Sequence, residues 1–361
     1  DVALAKLKQN GSELGAESDL ASNEVRNALE KLTAYSLSSD SAKWVVESGG
    51  LDEIIKILKT AAMGSDIPGQ EAIISLCTGA INELLQNPAT RNQVLAKLSD
   101  KKMLKSLLTA IKMNPQVDPT SAMRLLQTLA SEKSLQSALV QNGGTEAVVA
   151  LVRGNAGNPQ AVSDGIQVLL RMANSPENID KITRKGAVRL VTKLLEDTAN
   201  DKAFEPSIAP MLRLLSVITS DPAAKEIAVK QGVKDAVVNL MNKNLTNASV
   251  QSLGGKVLVD VVSNDDVVES ARLLAEQAQQ KSGVNKHALQ ANLNMIASMA
   301  QGGQNSRALI DLGAAQTLVA VLADAATWAD EEERLAAVNA ISKALGSIAS
   351  KETLDENMQA V

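Results

Sequence analysis

Residues Ala138–Val152 read ALVQNGGTEAVVALV: an aliphatic helix end, a turn at Gly143-Gly144, then a second aliphatic helix. The phrase returns as WVVESGGLDEIIKIL from Trp44, KITRKGAVRLVTKLL from Lys181, IAVKQGVKDAVVNLM from Ile227 and ALIDLGAAQTLVAVL from Ala308. The aligned glycines are Gly49, Gly143, Gly186, Gly232 and Gly313, and a degenerate copy from Val94 carries Lys102 in that place. Glycine there lets the backbone take positive φ and ends one helix sharply before the next. Self-similarity of this kind marks a repeat architecture.

Working outward, each phrase follows a longer helical run led by a polar residue, as in RLLQTLAS from Arg124, QVLLRMANS from Gln167 and RLLSVITS from Arg213. The leader stands nineteen positions before the glycine, and the same offset finds Glu30, Glu83 and Asn294. Two further runs, from Lys256 and Lys343, lack the glycine. Successive leaders lie 53, 41, 43, 46, 43, 38 and 49 residues apart. Each unit therefore reads as three helices: a long one, a short one after an Asn-Pro, Ser-Pro or Asp-Pro turn, and a second amphipathic one after the glycine. Loops rich in helix breakers close the units at 63–69, 113–119, 154–159 and 196–207. No alternating β pattern of useful length occurs, so the fold expected is all-α. The chain enters inside a second helix at Val2 and stops where another turn would fall due, so the expectation is one solenoid over 1–361 cut from a longer one.

Composition narrows the function. Of 361 residues 45% are hydrophobic, yet only two Trp, one Tyr and one Phe occur, so burial must rest on aliphatics. Few aromatics argue against base-stacking nucleic-acid platforms, and a net charge of −5 argues against a general polyanion binder. One cysteine, Cys77, and one histidine, His287, permit no intramolecular disulfide and no Cys/His zinc cluster. Cys77 reads as a small core residue and His287 as a polar residue at a helix start. No cofactor, metal site or enzymatic activity is expected. No apolar run is long enough to span a membrane, and a reducing cytoplasmic compartment is expected.

The helix–turn–helix–Gly–helix unit resembles the armadillo repeat, whose units run to roughly 40–47 residues, and the resemblance covers essentially the whole chain. It implies a right-handed superhelical solenoid of seven to eight three-helix repeats. In that family's order the long helix is the third of each repeat, and it would line a groove for extended peptides or partner domains. In the importin-alpha branch that groove carries a Trp-Asn ladder. Here the Trp column holds Glu30, Glu83, Arg124, Gln167, Arg213, Lys256, Asn294 and Lys343, while the Asn column holds Ala34, Asn87, Thr128, Arg171, Val217, Asp260, Ser298 and Ser347. Trp44 falls in a short helix and Trp328 in a loop, so no tryptophan reaches the ladder.

The leader column starts acidic and becomes mostly basic. Stacked units would bring these side chains into one stripe, able to dock an acidic segment with charge-assisted contacts. The same residues are equally the solvated face that any amphipathic helix must have. The groove residues so marked are Glu30, Glu83, Arg124, Gln167, Arg171, Arg213, Lys256, Asn294 and Lys343. Clusters at Lys97, Lys101, Lys102 and Lys105, and at Lys181, Arg184, Lys185 and Arg189, read as wet surface. The repeats also resemble those of the large armadillo connectors of apicomplexan gliding motility. That likeness implies a scaffold between actin filaments and the tails of membrane adhesins. Importin-alpha-type transport and myosin-chaperone or catenin-like modules remain the alternatives.

Overall fold

The computed structural model describes residues 2–14, 19–64, 67–199, 201–244, 247–279, 286–300 and 303–359. Two compact units divide the chain, Asp1–Ala187 and Val188–Val361. Among the described residues all regular structure is helical.

The first unit opens with α1 (Val2–Gly11), a second-type helix. Three triplets follow: α2 (Asp19–Ser36), α3 (Ser39–Glu47), α4 (Gly50–Met63); α5 (Gln70–Gln86), α6 (Arg91–Leu98), α7 (Lys101–Met113); α8 (Pro119–Ser131), α9 (Lys133–Gln141), α10 (Gly144–Gly154). Then come α11 (Pro159–Met172) and α12 (Pro176–Arg184). Long helices stack on long ones, α2 on α5, α5 on α8 and α8 on α11, while α1, α4, α7 and α10 stack in a second row. Aliphatic side chains fill the space between the rows, among them the fully buried Leu29, Ile54, Ile81, Leu107 and Leu151. Cys77 joins them, and burial pushes its thiol far above the ordinary cysteine value, which keeps it unreactive.

The second unit takes in α13 (Ala187–Thr198) from its second residue, then α14 (Glu205–Thr219), α15 (Pro222–Lys230), α16 (Val233–Lys243), α17 (Ala248–Val261), α18 (Asn264–Gln279), α19 (Lys286–Met299), α20 (Gly303–Asp311), α21 (Ala314–Ala325) and α22 (Glu331–Gln359). Here α14 stacks on α17, α17 on α19 and α19 on α22. His287 lies in the first turn of α19, and its side chain falls outside the described residues.

The turn glycines behave as their position demands. Gly143 takes φ 103° with open space around its Cα. Its neighbour Gly144 serves differently: a Cβ there would stand 2.7 Å from the Leu139 carbonyl oxygen. Where glycine is missing the local structure changes. Lys102 is helical, and α7 starts earlier than a glycine would allow, because the Asp100 carboxylate accepts from the Lys102 and Met103 amides at 2.9 Å each. The core register survives: Leu104, Leu107, Leu108 and Ile111 are buried at the same spacing as Leu51, Ile54, Ile55 and Leu58.

The expectation of three helices per unit fails after α17. A single 16-residue helix, α18, replaces the short and second helices, because nothing in Asn264–Gln279 interrupts it. The last unit likewise reads on as one helix of 29 residues. The loop expected over 196–207 is shorter, since α13 continues to Thr198 and a 3-10 turn at Lys202–Phe204 leads into α14.

Asparagines tie neighbouring repeats of the first unit together. The last carbonyls of a helix have no partner within it, and here the adjacent repeat supplies some of the donors. Asn87 Nδ2 donates to the Ser36 carbonyl at 3.0 Å, and Asn114 Nδ2 donates to that of Ala62 at 3.2 Å. Two further ties reach carbonyls that are not helix ends: Asn155 Nδ2 donates to that of Pro115, in the loop before α8, at 2.6 Å, and Asn82 Nδ2 to that of Ser121, in the first turn of α8, at 2.8 Å. Deeper in, Asn178 Nδ2 donates to the Met172 carbonyl at 3.0 Å and to Asn174 Oδ1 at 2.8 Å. Asn174 in turn donates to Gln136 Oε1, and Gln136 Nε2 to the Ala130 carbonyl at 2.8 Å.

Candidate partner-binding face

The leaders other than Asn294 project from a long helix, and in most of them the two positions that follow are taken by core. Arg124 is followed by buried Leu125 and Leu126, Arg213 by Leu214 and Leu215, Lys256 by Val257 and Leu258, and Glu83 by Leu84 and Leu85. Two apolar neighbours packed inward turn the preceding side chain away, as helical periodicity requires.

In the first unit the stacked long helices present Glu30 and Arg124 exposed, with Glu83 and Gln167 half-buried. Gln167 Nε2 donates to Ser163 Oγ at 3.4 Å, a local tie. Arg171 is exposed and reaches across to the neighbouring repeat, where its guanidinium donates to the Gln127 carbonyl at 3.3 Å. Close to Arg124 lies Asp118, which accepts from Ser75 Oγ at 2.7 Å and from the Ser121 amide at 3.1 Å. Partial burial raises the Asp118 carboxyl, but those hydrogen bonds and the Arg124 charge together bring it below the ordinary value.

In the second unit Arg213 and Lys256 are exposed, and Asn294 is not. At 5% exposure Asn294 sits in the floor, accepting from Gln290 Nε2 at 3.1 Å. Above it lies a cleft of about 330 Å³, walled by Gln251 and Ser252 on α17, Ala297 and Ser298 on α19, and Asn339 and Lys343 on α22. The partial desolvation of Lys343 holds its ammonium below the ordinary lysine value. Among the described residues Glu30, Glu83, Arg124, Arg213, Lys256 and Lys343 form no ion pair, whereas Arg184, Lys193 and Lys230 each have one within their own helix.

The Asn column serves packing where it is filled by asparagine: Asn87 is buried and spent on the Ser36 carbonyl. Trp44 sits in α3 and meets Tyr35 edge-on, with centroids 6.5 Å apart at 83°. Trp328 is buried before α22 and donates from its indole to Asp324 at 3.2 Å. Leader spacing alone did not reveal the α17–α19–α22 cleft. One signal for it was available, a glutamine early in the long helix. Gln251 Nε2 donates to the Met241 and Asn244 carbonyls at the end of α16, as Gln70 Nε2 does to Ala61 and Gly64 at the end of α4.

Among the described residues no group of three or more His, Cys, Asp or Glu is placed to hold a metal ion. No single helix there is long and apolar enough to cross a membrane; the pair Asn305–Asp311 and Ala314–Ala325 meets that test only jointly and is bent by 79°.

No family model and no curated protein matches the chain. Among solved structures it is similar to SYS-1, alone and in a crystal complex with POP-1. Both align with TM-score 0.52 at 11% identity, over 95% and 94% of this chain and 67% of the other. A designed armadillo repeat protein aligns over 71% of this chain and 100% of its own, at 19% identity and TM-score 0.45. Helices stacked repeat on repeat, together with the SYS-1 likeness, define the class of fold: all-α, an armadillo-like solenoid.

Proposed function

We propose that the chain is a non-enzymatic scaffold that binds a protein partner through the exposed face of its long helices. The partner segment is acidic and extended. One observation carries this reading: Arg124, Arg213, Lys256 and Lys343 recur at one register, project from the core and among the described residues form no ion pair, Arg124 having only the charge of Asp118 near it. A charge held in water without a partner is free to meet an acidic segment, and such contacts set orientation and association rate more than affinity. The SYS-1 structure solved with POP-1 accords with a binding role for the fold.

The test is titration of a labelled acidic peptide against the full chain at low and physiological salt. Arg124→Glu with Arg213→Glu is expected to weaken binding at least about tenfold, roughly the 1.4 kcal/mol that such a change represents. Unchanged affinity in that variant would sink the reading. A narrower form of the proposal places the scaffold in the cytoplasm between actin filaments and adhesin tails, motivated by the likeness of its repeats to those of motility connectors. Co-sedimentation with actin filaments and pull-down with acidic cytoplasmic tails test it. Failure of both removes the narrower form and leaves the scaffold. Binding of basic localisation peptides instead would favour the transport alternative.

A further inference from the structure

A second surface of the first unit, away from the long-helix face, lacks a contact that its neighbours have. Three residues beyond the turn glycine, Asp52 on α4 pairs with Lys97 on α6 of the next repeat. At the same position on α10, Glu146 pairs with Lys185 at 2.9 Å. Between these two rungs the α7 rung is altered on both sides. With Lys102 in the glycine's place by core register, Lys105 stands where Asp52 and Glu146 stand, and the facing turn offers Gln141 and Asn142 in place of a lysine. Lys101, Lys105 and Lys112 share one face of α7. With Gln141, Asn142 and Gly143 they line a depression of about 380 Å³. Among the described residues none of these three lysines has a carboxylate partner, and Glu146, the acid on the far wall, is engaged by Lys185.

We propose that this depression is a second binding site, which takes an extended acidic segment of a partner protein whose carboxylates stand in for the missing rung. Lys101 and Lys112 are eleven residues apart, about 16 Å along a helix, the reach of about five extended residues. Ammonium groups strung along a line suit several carboxylates in succession better than one compact anion. The wall carries no aromatic side chain on which a nucleic-acid base could stack.

Titration of the full chain with a fluorescein-labelled hexa-aspartate peptide, read by anisotropy, tests the site. Lys105→Asp with Gln141→Lys rebuilds the internal pair of the flanking rungs and is expected to weaken peptide binding at least tenfold with unchanged thermal unfolding. Should that variant fail to fold, Lys101→Gln with Lys112→Gln, both on the surface, is expected to give the same loss. The same titrations are run in the Arg124→Glu/Arg213→Glu chain, where the binding contributed by the long-helix face is removed; the weaker binding that remains there is expected to be lost with the rebuilt rung, so failure here is read separately from failure of the long-helix face. Equal binding by the rebuilt-rung variant overturns the site, as does absence of binding by the unaltered chain. Competition by inorganic phosphate at the peptide's own concentration, or stronger capture by phosphatidylserine vesicles, overturns the acidic-segment assignment.

Discussion

Asp118 carries several jobs in one side chain. It caps α8 by accepting from the Ser121 amide, accepts the Ser75 hydroxyl of the preceding repeat, and lies near Arg124. It also takes φ 38°, the one positive φ outside glycine among the described residues, which aspartate and asparagine tolerate best. Its folded carboxyl lies below the ordinary value. Its charge therefore adds stability above the unfolded value of about 3.9, and that stability is lost as the pH falls through the lower folded value. Asp118→Asn keeps the cap and the backbone tolerance while removing the charge. Urea unfolding at pH 3, 4.5 and 6 is expected to show the unaltered chain ahead of the variant at pH 6, with the gap narrowing as the pH falls to 3. The gap stays below about 1 kcal/mol, because the group is largely solvated and screened. A gap independent of pH would contradict the linkage.

Among elements, short helices are fixed by their first residues. Asp221 accepts from the Ala223 and Ala224 amides at 3.1 and 2.9 Å, and Pro222 follows at the first helical position. Asp221→Ala is expected to cost about 1 kcal/mol, seen as a lower urea midpoint, while Asp221→Asn recovers most of it. Signals of this strength made the elements legible in the sequence: Gly49, Gly143, Gly232 and Gly313 stand at helix starts where the repeated phrase puts them. What the phrase could not show is what happens without the glycine. At Lys102 an aspartate two residues earlier supplies the break, while in α18 nothing does and the helix runs on. The candidate site was half legible. Periodicity places a leader beside the core, and so finds Arg124 and Arg213, but burial at Asn294 depends on how closely α17 and α22 approach α19, which no spacing within one helix encodes.

For the whole molecule, contacts run mainly between successive repeats, so stability accumulates from neighbour to neighbour rather than around one centre. Each compact unit happens to contain one of the two tryptophans, Trp44 in the first and Trp328 in the second. Trp44→Phe and Trp328→Phe thus give chains whose fluorescence reports one unit each. In guanidinium their midpoints are expected to differ, since a repeat array need not unfold as one cooperative body. Coincident midpoints and slopes would show instead that the two units melt together.

The asparagine ties of the first unit bear on how it yields to force. Sliding one repeat past the next by a helical turn would leave the buried donors of Asn82 and Asn87 facing no carbonyl. Each buried donor so stranded costs about 1–3 kcal/mol. Small changes of angle between repeats keep those bonds within reach, so the stack is stiff in shear and compliant in bending. A stack built this way flexes like a leaf spring while its layers hold their registration.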